Sequence, residues 1–156
     1  MTEHGVALAM DPGPIQTAWV VFGPATRGLR AFGITPNEEL IERFRTGVAP
    51  AVETVVIEEI ESFGMPVGRE IFDTVWWAGR YAEALRDREL VRLSRRKVKT
   101  HLCGSARAKD PNVRQVILDR YGGAAAARKG GPLAGVSKDV WSALALAVTW
   151  AEGGHR

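Results

Sequence analysis

The sequence predicts one mixed-sheet α/β domain, and three features carry that prediction. Three apolar, β-branched or aromatic runs succeed one another near the N-terminus across short turns, the pattern of an antiparallel meander. Further along, such runs alternate with stretches of helical periodicity. No internal repeat or long linker divides the 156 residues, so the whole span 1–156 is expected to be a single domain. Its 46% apolar and 25% charged content suits a globular chain large enough for a sizeable core.

Val6 to Met10 is a compact apolar run, as expected of a buried strand, and Asp11-Pro12-Gly13-Pro14 should break it. Thr17 to Phe22 and Leu29 to Ile34 are the second and third strands. Pro36 to Arg45 predicts a short helix with Asn37 as cap and acids in its first turn. Thr54 to Ile57 is the next buried strand, and Phe63 to Gly68 has loop chemistry. From Glu70 to Leu85, apolar residues at Ile71, Val75, Ala78, Ala82 and Leu85 predict one buried helical face. Leu90 to Leu93 is a fifth strand, succeeded by a helical piece through Cys103. Asp110 to Tyr121 has Asp110 as cap, Pro111 in the first turn and Gly122 past the end. The Gly/Ala-rich stretch 122–136 predicts a mobile connection. Ser137 should then cap a final, well-buried helix from Lys138 to Glu152.

Several classes are disfavoured. The longest apolar runs, Gly5 to Met10 and Ala143 to Trp150, fall short of the roughly 20 residues that span a membrane. No basic region and apolar stretch open the chain as a secretory signal would. A cytoplasmic protein with no membrane partner is therefore expected. Cys103 is the single cysteine, and no Cys/His spacing suggests zinc. The formal charge is only +3, but nine Lys and Arg lie between Arg86 and Lys109, with Arg80 just upstream. Such a run is either a solvated face or a phosphate-binding one.

Three acids share a setting. Asp11 comes directly after the first apolar strand, Glu58 directly after Thr54 to Ile57, and Asp139 opens the last apolar helix. Alone, Asp11-Pro-Gly is a turn signal and Asp139 suits a helix N-terminus. Glu58 is harder to dismiss, because a carboxylate beside a buried strand is costly unless paired or metal-bound. Together, converging at one sheet edge, the three would need a hard divalent cation, and Mg²⁺ prefers oxygen ligands. Two such ions a few ångströms apart can activate water and stabilise the leaving oxygen of a phosphodiester.

Ala9-Met10-Asp11-Pro12-Gly13 on a first strand, Val56-Ile57-Glu58 on a fourth, and Asp139 before Ala-Leu-Ala-Leu-Ala-Val resemble the RuvC-type Holliday junction resolvases, over about residues 6–150. The small, self-contained form is similar to phage-encoded members. The resemblance implies an RNase H-like fold, a five-stranded mixed sheet flanked by helices, and a homodimer that nicks branched DNA in pairs. It also implies two Mg²⁺ ions, with Mn²⁺ able to substitute, at Asp11, Glu58 and Asp139, and products with 5′-phosphate and 3′-hydroxyl ends. Arg95, Arg96, Lys97 and Arg107 fall in the segments resembling the family's basic helix and the loop after it, which implies DNA contact. Lys99 and Lys109 match positions near the scissile phosphate, where an ammonium could stabilise transition-state charge. Plain phosphate contact or surface solvation would serve them equally.

The pattern departs from the family at Ser142, where a fourth acidic or histidine ligand is usual. A serine hydroxyl ligates weakly, and Glu59 or Glu61 are substitutes, although strand alternation turns Glu59 away from Glu58. Phe63 and Met65 lie just past the acidic cluster. Phe63 could stack on an unpaired base, but folding into the core is the stronger expectation. Trp76 and Trp77 diverge by about 100° on their helix, so one should be free for a dimer interface. His4, His101 and His155 lack partners at ligand spacing and are given no role. A ribonuclease H-like or single-strand nuclease, or a non-catalytic branched-DNA-binding protein, are the competing functions, since a fold does not fix a substrate.

Overall fold

The computed structural model describes residues 5–23 and 28–156; His4 lies outside them. Strands β1 (Ala7–Pro12), β2 (Gln16–Gly23) and β3 (Gly28–Pro36) form the antiparallel meander, and β4 (Thr54–Glu59) and β5 (Glu89–Ser94) complete one sheet. The spatial order β3-β2-β1-β4-β5 puts β1 in the middle, antiparallel to β2 and parallel to β4, with β4 parallel to β5. This is the five-stranded mixed sheet that the sequence predicts.

Side-chain alternation divides the core into two layers. On one face Leu8, Met10, Val55 and Ile57 pack under helices α1 (Asn37–Arg45) and α2 (Arg69–Ala84). On the other, Ala7, Ala9, Val56 and Leu93 pack under α3 (Arg95–Cys103), α4 (Asp110–Arg120) and α5 (Val140–Ala151). Residues 143–150 of α5 are all buried, as an apolar-all-round helix must be. Ala143, Ala145 and Ala147 let it lie close on the sheet. Ser94 caps α3 by accepting from the Lys97 amide, and Gly104 closes it at φ 74°.

Several elements differ from their sequence-based expectations, each for a physical reason. β1 runs on through Asp11 and Pro12, because its pairing with β4 extends only from Ala7 to Met10. Beyond that point only β2 flanks it, and a proline that owes no ladder hydrogen bond fits there. α2 keeps part of the predicted face, with Leu85 buried and Ala78 and Ala82 packed on the core, but it turns towards Thr74, Trp77 and Tyr81, which are buried, and leaves Val75 half exposed. The aromatic pair buries more area, and Tyr81 packs edge-to-face on Phe44 at 5.7 Å. Lys109, not Asp110, occupies the cap of α4. Asp139, not Ser137, occupies that of α5, and it makes no side-chain cap bond. The stretch 122–136 is a packed connection with a 3₁₀ turn at Ala124–Ala127, and Ala126, Leu133 and Val136 are buried.

Asn37 is the most instructive difference. Pro36 takes the cap, and Asn37 turns its side chain inward, where it is fully buried. Its Oδ1 accepts from Thr17 Oγ1 at 2.6 Å and from the Tyr81 hydroxyl at 2.7 Å. Its Nδ2 donates to the Gly13 carbonyl at 2.8 Å. Burial pushes the Tyr81 pKa up to about 12, so its proton stays in place. This buried knot fastens the turn after Asp11 to β2, α1 and α2. Asn37→Ala should therefore lower the unfolding free energy by about 1–3 kcal/mol, the usual cost of leaving buried polar groups unpaired, as measured by urea denaturation. An unchanged midpoint would show that the knot is dispensable.

Candidate active site

The strand register creates the site. Met10 stands opposite Ile57 in the parallel β1–β4 pair, so one further residue sets Asp11 beside Glu58. Both share the parity of Ala9 and Val56, and so face the α5 layer. They lie at the carboxyl edge of the parallel strands, where open α/β sheets bind ligands. Both are half-buried. Asp11 is hydrogen-bonded to Glu58, and its pKa is pushed up to about 9. Burial contributes most to that shift, then the Glu58 hydrogen bond and charge, then Asp139, while Arg95 opposes it. Burial and the neighbouring acids thus favour the neutral form of Asp11, a setting that a bound cation would reverse.

Asp139 approaches from α5 and is exposed, within electrostatic reach of Asp11. Just before it, Lys138 at φ 51° is the one non-glycine with positive φ among the described residues, a strained backbone at the entrance to the helix. Ser142, one turn on, lines a cavity of about 30 Å³ with Glu58, Arg95, Lys99 and Asp110. A more open cleft of about 330 Å³ beside it is lined by Arg95, Asp110, Asp139 and Ser142. Among the described residues no three His, Cys, Asp or Glu side chains converge closely enough to hold one metal ion. The donor set that does converge, the Asp11–Glu58 pair, is all oxygen and short of positive charge, which suits a hard divalent cation.

Of the predicted basic residues, Arg95 and Lys99 reach this site. Arg95 Nη2 donates to Asp110 Oδ1 at 2.6 Å, and Lys99 Nζ lies 4.0 Å from the same oxygen. Arg95 holds Asp110 below the usual carboxylate range. Arg96, Lys97, Arg107 and Lys109 are exposed and line neither cavity. Glu59 faces the α2 side and pairs with Arg92 at 3.0 Å, and Glu61 lies beyond the strand. Phe63 and Met65 do not fold into the core: they are 69% and 73% exposed, because their loop leaves the sheet edge. Trp77 is buried and Trp76 is 68% exposed. His101 pairs with Glu152, far along the chain from the acids. The residue that sequence reasoning passed over is Asp110, whose helix-opening position hid its role as partner of Arg95.

No protein-family model matches the chain, and no curated protein matches it. Its fold is similar to a solved structure of RuvC from Thermus thermophilus, with a TM-score of 0.67 and 20% identity over 96% of this chain and 97% of that one. It is likewise similar to T. thermophilus RuvC in complex with Holliday junction substrate, with a TM-score of 0.69 and 21% identity over 97% and 98%. At these identities the likeness establishes a RuvC-like, RNase H-like fold.

The Asp11–Glu58 pair has a signature in solution. The Asp11 pKa is raised in the folded state from an unfolded value of about 3.9, so its stabilising contribution is complete below that pH and is lost as pH climbs towards about 9. In EDTA, the melting temperature should fall between pH 6 and pH 9 by about 2–4 °C per kcal/mol lost. Asp11→Asn should remove that dependence and melt above the parent at pH 8. Excess Mg²⁺ should raise the parent's melting temperature and leave Asp11→Asn unmoved. Identical pH profiles for the two proteins would contradict a raised Asp11 pKa.

Proposed function

We propose that the chain is a divalent-cation-dependent endonuclease that resolves four-way or other branched DNA, with one nuclease domain spanning 1–156. The observation that carries this reading is the Asp11–Glu58 pair at the carboxyl edge of a RuvC-like sheet, flanked by Asp139, Arg95 and Lys99. A Mg²⁺ or Mn²⁺ ion bound there would supply a water of lowered pKa and a Lewis acid for the phosphoryl oxygen. Asp11 and Glu58 would hold it, with Asp139 at the rim. Lys99 is half-buried against Asp110 and lines a cavity with Glu58, which suits a phosphate contact beside the reacting group. Arg96 and Lys97 on α3, with Arg107 and Lys109 after it, are exposed for backbone contacts further along the DNA. Phe63, exposed in the loop after Glu58, would stack on an unpaired base.

We further propose a homodimer. Phe72, Val75, Trp76 and Gly79 recur at helical spacing on the outer face of α2, and all are exposed. An apolar stripe on a long helix suits a self-complementary two-fold contact. Such symmetry would present two sites to a junction whose arms are themselves related by a two-fold axis.

With Mg²⁺ present, a synthetic four-way junction should be cut in preference to linear duplex or an RNA–DNA hybrid on sequencing gels. Cutting of the hybrid with none of the junction would replace this reading by a ribonuclease. Asp11→Asn, Glu58→Gln and Asp139→Asn should each lower the cleavage rate by at least about 100-fold, while gel shifts show the junction still bound. A variant that cuts at the parental rate removes its residue from the site. By light scattering the parent should have the mass of two chains and Trp76→Glu that of one; a monomeric parent refutes the dimer.

A further inference from the structure

Position 142 is the place where the acidic cluster lacks a charge. Ser142 stands between Glu58 and Asp139, lining one cavity with the first and a neighbouring cleft with the second. Arg95 lines both as well. Between the two carboxylates, Arg95 is thus the cation that lines both spaces, Lys99 lining only the first and Arg114 and Lys138 only the second.

We propose that Arg95 takes the part of a second cation: the site works with one divalent ion, at the Asp11–Glu58 pair, and Arg95 meets the scissile phosphate from the Ser142 side. The inference rests on the nuclease function proposed for this site and refines it.

Three features support it. First, Arg95 is held in place. It is the first residue of α3, directly after β5, and its Nη2 is tied to Asp110 Oδ1 at 2.6 Å. Asp110 sits in the first turn of α4 and acts as the positioning residue. Second, that tether engages one end of a group with five N–H donors, which leaves part of the fork to meet phosphate oxygens. Third, the space fits the division of labour. The cavity of about 30 Å³ is of water size, too small for an ion that keeps several waters as Mg²⁺ does. The adjoining cleft of about 330 Å³ is open enough to admit a phosphodiester.

The chemistry balances without a further reactant. A water oxygen bonds to phosphorus as the bond from phosphorus to the 3′ oxygen breaks. The water's proton is released, and the 3′ oxygen leaves protonated. Arg95 stays protonated throughout, so its contribution is charge stabilisation of the phosphoryl oxygens and not proton transfer.

The test counts ions and rates separately, on the full chain. Electron paramagnetic resonance of Mn²⁺ titrated into protein with nicked product DNA bound should find one ion per protomer. Arg95→Ala should still bind one ion and should melt within about 2 °C of the parent, the residue being exposed at a helix start. Its junction cleavage at saturating Mn²⁺ should fall at least about 100-fold, and Arg95→Lys, which lacks the fork, should lie between. Adding Ser142→Asp to Arg95→Ala should create a second Mn²⁺ site and recover part of the rate. Two ions in the parent, full activity in Arg95→Ala, or no second ion in the double variant would each overturn the proposal. Absence of junction cleavage by the parent overturns the proposed nuclease function, whereas the ion count is obtained without cleavage and answers this inference alone.

Discussion

The parallel pairing of β1 with β4 is the constraint on which the rest of the molecule depends. It extends over only four residue pairs, from Ala7–Thr54 to Met10–Ile57, yet it sets two carboxyl side chains next to each other at its end. Were both ionised, such neighbours would repel, and the structure around them is correspondingly immobilised. Ala7, Leu8, Ala9 and Met10 are almost wholly buried, so β1 is clamped between both helical layers. The turn beyond Asp11 is fastened by Asn37, Thr17 and Tyr81. Packing and buried hydrogen bonds thus outweigh a local electrostatic cost, which is how proteins generally sustain strained sites.

The layer above Asp11 and Glu58 is arranged around the same edge. α5 lies close to the sheet because small alanines face it, and its start brings Asp139 and Ser142 to the site. α3 begins directly after β5, so Arg95 and Lys99 arrive from the other side, and Asp110 at the start of α4 ties them down. The site is therefore a charge mosaic, with acids on the sheet and cations on the adjoining helix.

Alternation along β4 also separates two surfaces. Glu58 faces α5 and joins Asp11, whereas Glu59 faces α2 and pairs with Arg92. The α2 side carries the exposed stripe of Phe72, Val75 and Trp76. The acidic pair and the exposed apolar stripe consequently lie on opposite faces of one sheet.

The strands and helices, their order, and the three acids as candidates were legible in local sequence, because apolar periodicity and turn residues act over a few positions. Asp11 and Glu58 stood out because each ends an apolar strand, a setting where an isolated charge is costly. Local sequence was silent on everything that depends on distance across the fold. It assigned Asn37 to a helix cap, although its amide is claimed by Gly13, Thr17 and Tyr81 from three other elements. It placed the buried face of α2 slightly off, keeping Ala78, Ala82 and Leu85 but missing Trp77 and Tyr81, which pack with Phe44 and the sheet. It took Asp110 for a capping acid, because nothing within a few residues reveals that Arg95, fifteen positions earlier, lies against it. Sequence by itself determined which residues could ionise beside a core. Tertiary structure alone decided which of them meet, because pairing energies fall off over a few ångströms and only the completed sheet brings those charges within range.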